Sequence, residues 1–204
     1  MSSKGFKISP HQQREDLKAI CGTDHDPATL KFLKIFWEGK EQNVPQTKVQ
    51  RFAKDKRKNM QGGDYSINFR FGGHRYYFKG SYPERKVYSD GAYQMILDKG
   101  EGYIANLGFD LLSNGLEIIQ IQGVKGTQKD LRQIRWQNML VNFLEEIIMR
   151  IDSITDLCIL PADRNIWKHR LNLERAKTHY DGTAKGCGFE YDPGKKLWVK
   201  NLRN

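Results

Sequence analysis

Leu116-Glu-Ile-Ile-Gln-Ile-Gln122, the run Gly-Val-Lys-Gly-Thr-Gln-Lys-Asp-Leu-Arg132 and the segment Gln133–Asp152 decide the fold. Ile118, Ile119 and Ile121 make the first piece a candidate central strand, and Ser113-Asn-Gly115 in front of it is a hairpin signal. Across Gln133–Asp152, Trp136, Leu140, Phe143, Leu144, Ile147, Ile148 and Ile151 recur at helical spacing, the strongest periodic signal in the chain. Leu157–Leu160 is a short apolar strand. Strand, long helix and strand in this order predict a β-α-β crossover, which joins parallel strands.

Upstream, Tyr65, Ile67, Phe69 and Phe71 alternate with Ser66, Asn68 and Arg70, the pattern of a strand with one buried face. Gly72-Gly73 reads as a turn and His74–Lys79 as its return strand. Ala92–Leu97 and Tyr103–Leu112, on either side of a glycine-containing turn, extend the antiparallel meander. Downstream, a polar helix is expected from about Ile166 to Asp181. A closing hairpin follows in which Phe189–Tyr191 and Leu197–Val199 flank Asp192-Pro-Gly194. The first sixty residues read as helices: His11–Cys21 behind the Ser9-Pro10 start, a stripe of Leu30, Leu33, Phe36 and Trp37, and a basic helix Gln46–Asn59 anchored by Val49, Phe52 and Ala53. The fold class is α+β. Its mixed, mostly antiparallel sheet with a β-α-β crossover (residues 61–204) follows a helical segment (residues 1–60), together one compact domain.

The chain has 204 residues with 34 Lys and Arg against 24 Asp and Glu, a net charge of +10. At 38% hydrophobic and 11% aromatic it has the material for a core. No run reaches the length of a membrane span, and the N-terminus lacks a secretory apolar region, so a cytoplasmic protein is expected. Cys21, Cys158 and Cys187 are odd in number and widely spaced, which speaks for reduced thiols. Asp24-His25-Asp26 and His11 find no further ligand pair, so no metal site is expected.

Two anion-binding features stand out. After the central strand, Gln122, Gly123, Val124, Lys125, Gly126, Lys129 and Arg132 combine glycines, which let backbone approach a ligand, with positive charge. Placed at the start of the long helix, they suit a phosphate or pyrophosphate. An ordinary solvated strand-to-helix loop is the other reading, for neither a Walker A loop nor a GxGxxG pattern occurs. Separately, Lys54, Lys56, Arg57 and Lys58 crowd the basic helix, a feature of nucleic-acid contact or of a merely solvated face.

The order meander, strand, loop, long helix, strand, helix and hairpin resembles the GNAT superfamily of N-acyltransferases. The resemblance rests on Glu117-Ile-Ile-Gln-Ile-Gln-Gly123, on Asn172-Leu-Glu-Arg-Ala-Lys-Thr-His-Tyr180 and on Gly188-Phe189, and covers residues 64–200. The Ile-Gln-Gly core and the Tyr180-Asp181 to Gly188 spacing are also similar to VirK-like proteins. The resemblance implies splayed central strands that hold acyl-CoA, such as acetyl-CoA. It further implies Glu117 as base for the acceptor amine and Tyr180 as acid for the leaving thiolate, with Asn165 and Asn172 beside the cofactor's amides or serving as helix caps. The family's Gly-x-Gly/Ala pattern at the long helix is missing between Val124 and Trp136, and the family's tyrosine position is Ala184 here. Those departures favour the alternative, a non-catalytic nucleic-acid-binding or host-interacting protein on a degenerate version of this fold.

Overall fold

The computed structural model describes residues 42–55, 65–71, 76–77, 86–87, 90–91, 93–100, 102–112, 114–165 and 172–203. In chain order these form β1 (Gln42–Asn43), α1 (Gln46–Phe52), β2 (Tyr65–Phe71), β3 (Tyr76–Tyr77), β4 (Lys86–Val87), β5 (Tyr93–Lys99), β6 (Gly102–Leu111) and β7 (Gly115–Gly123). There follow α2 (Gln128–Leu131), α3 (Trp136–Ile148), β8 (Asp156–Ile159), a 3-10 turn (Ala162–Arg164), α4 (Leu173–His179), α5 (Asp181–Gly186), β9 (Glu190–Asp192) and β10 (Leu197–Asn201). Eight strands make one sheet in the order β1-β2-β5-β6-β7-β8-β10-β9, and β3 pairs with β4 in a separate ladder. Every neighbouring pair among these strands is antiparallel except β7–β8. The chain is therefore α+β with a mixed sheet.

The alternating residues of β2, β5, β6 and β7 explain why the sheet holds. Phe69, Met95, Leu107 and Ile121 form one cross-strand row, and Tyr93, Phe109 and Ile118 another, all buried. The apolar stripe of α3 joins the same core through Met139, Leu140, Phe143, Leu144 and Ile148, with the Phe69 and Phe143 rings 6.4 Å apart.

Four expectations change. Of the return strand expected at 74–79, only Tyr76–Tyr77 are among the described residues, and these do not pair with β2. As β3 they pair with β4, whereas β2 pairs over all seven residues with β5 and buries Tyr65, Ile67 and Phe69 in doing so. The N-terminal sixty residues are not helical throughout, because Gln42–Asn43 add an edge strand to β2. The basic helix ends at Phe52, where Ala53 turns extended and bridges Ile134. Lys48 also leaves the solvent face: it ion-pairs with Glu146 on α3 and lies 4.5 Å from the centre of the Phe143 ring. The long helix, finally, starts at Trp136 rather than Gln133, since Ile134 is drawn into the bridge with Ala53. Among the described residues no helix is long and apolar enough to cross a membrane.

Leu144 is fully buried at the α3–sheet contact, whereas Met149, at the end of the same helix, is 48% exposed. Leu144→Ala is expected to cost about 2–5 kcal/mol in urea unfolding, and Met149→Ala less than about 0.5 kcal/mol.

Candidate functional site

β7 and β8 begin as a regular parallel pair, Gly115 opposite Asp156 through Ile118 opposite Ile159, with Leu160 N donating to the Ile118 carbonyl at 2.9 Å. The ladder then stops for two reasons that act together. On β8, Pro161 has no N–H to offer, and the next amide, Ala162 N, donates to the Asp181 carboxylate at 3.2 Å. The same Asp181 oxygen accepts from the Trp198 indole at 2.9 Å and so ties the exit of β8 to β10. On β7, Ile118 faces Phe109 but Gln120 faces Gly108, which leaves Ile119 as the extra residue of a β-bulge.

Past that point side chains, not a strand, meet the β8-facing edge of β7. The Asn165 amide donates to the Ile119 carbonyl at 3.3 Å, and Ile121 N donates to the Tyr180 hydroxyl at 3.2 Å. Both side chains are buried, Asn165 to 1% exposure and Tyr180 to 4%. The result is a break in the parallel ladder, where the second half of β7 is met by Asn165 and Tyr180 instead of by β8.

Burial raises the Tyr180 pKa, and its bonds to Ile121 N–H and Asn165 oppose that only in part. The phenol therefore keeps its proton at neutral pH, the form that can act as an acid. Glu117 is half-buried, and desolvation raises its pKa; Arg164 pulls it back down, and Asp110, its cross-strand neighbour, pushes it up. A carboxylate in that setting is a better base than an exposed one. The two do not converge, however. Tyr180 reaches β7 at Ile121, four residues beyond Glu117, about 13 Å at the rise of an extended strand.

The loop after β7 differs from the expected phosphate cradle. Val124 N donates to the Ile104 carbonyl (2.9 Å), Gly126 N to the Gln128 side chain (2.9 Å) and Thr127 N to the Val124 carbonyl (3.2 Å). The buried Thr127 hydroxyl lies 3.1 Å from the Ile104 carbonyl and 2.8 Å from that of Val124, pinning the loop to β6. Those amides are spent inside the chain. Gly123 has a packing reason for lacking a side chain, since a Cβ there would stand 2.8 Å from Leu131 Cδ1 and 3.4 Å from the Trp136 ring. Gly126 adopts φ 94°, the left-handed region. The long helix does not begin where the loop ends, because α2 and residues 132–135 intervene, so its N-terminus is not delivered to Gly123–Thr127. Lys125, Lys129 and Arg132 are exposed, as is Gln122, which accepts from Gln120 at 2.9 Å.

Asn172 stands outside this site as the N-cap of α4, its side-chain oxygen accepting from Glu174 N (3.0 Å) and Arg175 N (3.3 Å). Lys54 is exposed beside the Ala53–Ile134 bridge; Lys56, Arg57 and Lys58 lie outside the described residues. Among the described residues no group of three or more His, Cys, Asp or Glu is placed to hold a metal ion. Sequence reasoning missed Asp181. The signal was present in Trp198, whose indole N–H needs a partner once the ring packs on the core. Neither the protein-family models nor the curated proteins give a match to this chain. The class defined by the fold is an α+β protein whose mixed sheet holds one short parallel pair, β7–β8, near its centre.

Tyr180 sits directly after His179, whose Nδ1 lies 3.3 Å from the Gln137 side chain and whose ring centre is 6.1 Å from that of Trp136. Burial, helped by the Arg175 charge, lowers the His179 pKa below 6.5. The unfolded chain then binds this proton first as pH falls, so the stabilisation is complete above the unfolded value and is lost as pH drops through it. Urea midpoints taken between about pH 7 and 5.5 are expected to fall in the native protein and to fall less in His179→Gln.

Proposed function

We propose that the chain is an N-acyltransferase-like protein whose β7–β8 break takes the pantetheine arm of an acyl-CoA and whose acceptor is an amine. The observation that carries this reading is the end of the β7–β8 ladder at Ile118 and Leu160, directly beside the buried Asn165 and Tyr180. A pantetheine arm carries secondary amides, and these would have to exchange with the bonds that Asn165 makes to the Ile119 carbonyl and Tyr180 to Ile121 N–H, groups of the donor and acceptor types such amides need. The fit is poorer for the pyrophosphate. The loop amides at Val124, Gly126 and Thr127 bond within the chain, so any phosphate contact after β7 would fall to exposed side chains such as Lys125, Lys129 and Arg132.

Bound acyl-CoA supplies an activated thioester. The Tyr180 phenol, kept protonated by burial, would give its proton to the departing sulfur and regain one from solvent. Glu117 would accept the amine proton; its distance from Tyr180 along β7 calls for an intervening water or an extended acceptor. Asn165 would hold the site's amide contacts and Asp181 would keep the strands apart without touching the reacting atoms.

Calorimetry with CoA and acetyl-CoA, followed by label transfer from acetyl-CoA to a panel of small amines, tests the reading. Saturable binding is expected. In Tyr180→Phe the affinity should stay within about threefold while transfer drops by about 10²-fold or more, the loss that removing a general acid brings. Absence of binding at millimolar CoA, with folding verified by circular dichroism, contradicts the proposal.

A further inference from the structure

The basic stretches at residues 51–54 and 129–135 are far apart in sequence but form one surface. Ala53 and Ile134 make an isolated antiparallel bridge, flanked by Lys54 N to the Gln133 carbonyl (2.9 Å) and Arg135 N to the Phe52 carbonyl (2.8 Å). Ala53 and Ile134 are fully buried, and their neighbours across the bridge, Lys54 and Arg135, are exposed. Arg51, at the end of α1, is exposed and stands 5.5 Å from the Phe52 ring centre. Lys129 and Arg132, three residues apart around the turn of α2, are both exposed.

Four cations, Arg51, Lys54, Arg132 and Arg135, therefore lie within two residues of the bridged pair. Asp130 is already ion-paired with Lys99 at 2.8 Å, and Asp55 adds one exposed carboxylate at the rim. Lys48, the basic residue of α1 that faces inward, is neutralised by Glu146 and takes no part. The large hydrophobic side chains exposed among the described residues, Leu112, Met149, Leu173 and Tyr191, all fall outside residues 51–54 and 129–135, so these described stretches offer none of the exposed large apolar side chains that a membrane surface rewards. Three of the four cations are arginines, whose planar forks suit phosphate oxygens.

We infer that this composite face binds the phosphate backbone of a nucleic acid, independently of the β7–β8 site. Contact with phosphates releases condensed counterions, so the binding is steeply salt-dependent. Engagement of three or four phosphates of a single strand gives a slope of about −2 to −3 in log K against log salt.

The test is fluorescence anisotropy with a labelled single-stranded 20-mer from about 50 to 200 mM salt. Lys54→Glu/Arg132→Glu/Arg135→Glu is compared with Arg150→Glu/Arg175→Glu/Lys196→Glu, which makes the same change of charge at exposed positions elsewhere. Circular dichroism and melting temperature verify that both variants fold. The first triple is expected to lose affinity tenfold or more and to flatten the salt slope; the second is expected to stay within threefold. Equal losses in the two triples, salt-indifferent binding, or equally tight binding to polyglutamate or to phosphatidylserine vesicles would overturn the inference. CoA calorimetry on the first triple separates the two proposals, because the β7–β8 site should bind as in the native protein whether or not the face does.

Discussion

A single carboxylate marks the end of the parallel ladder at the centre of the sheet. Asp181 takes the Ala162 amide that would otherwise be free to extend β8 along β7, and with the same oxygen it takes the Trp198 indole of β10. Pro161 removes the alternative donor, and the bulge at Ile119 turns the edge of β7 away from a simple continuation of the ladder. Buried backbone groups seldom stay unpaired. Once the strand is diverted, Asn165 and Tyr180 come in to meet Ile119 and Ile121. The buried phenol and amide beside β7 follow from that diversion.

The rest of the fold gives this site a rigid frame. α3 packs its apolar stripe against β2, β5, β6 and β7, while α5 presses Cys187 and Gly186 towards Asn138 on α3. β10 lies between β8 and β9, so Trp198 is brought from the far end of the chain to the side of Asp181. On the other flank, α1 docks on α3 through Val49 and the Lys48–Glu146 pair, and this docking draws Ala53 against Ile134. One packing event thus shortens two helices and joins two basic segments.

Much of this was legible in the sequence, and the failures have definite causes. The meander strands β2, β5, β6 and β7, the crossover through α3 and the closing hairpin follow from periodicities of two and 3.6 that burial enforces. The pairing of β2 with β5 did not follow, since Gly72-Gly73 carries a strong local turn signal and pairing is settled by which seven-residue ladder buries Tyr65, Ile67 and Phe69. Helix propensity ran on through Gln133–Arg135 and past Phe52, but the Ala53–Ile134 bridge, a tertiary contact, stopped both helices. In the candidate site, Tyr180 was singled out through the family resemblance and Asn165 as an amide beside the strand end; the structure gives them each other and β7 as neighbours, not Glu117 or Asn172. The glycines of the loop were read as room for a ligand; Gly123 makes room for Leu131 and Trp136.

The central claim is that the strands part after Ile118 to admit an acyl-CoA arm at the edge of β7. Amide chemical shifts followed by NMR while CoA is added address it most directly. The account predicts saturable shifts at Ile119, Ile121 and Lys125 on one side and at Asn165 and Tyr180 on the other, with the paired segment Gly115–Ile118 little changed. Shifts confined to other parts of the chain, or none at millimolar CoA, would contradict it.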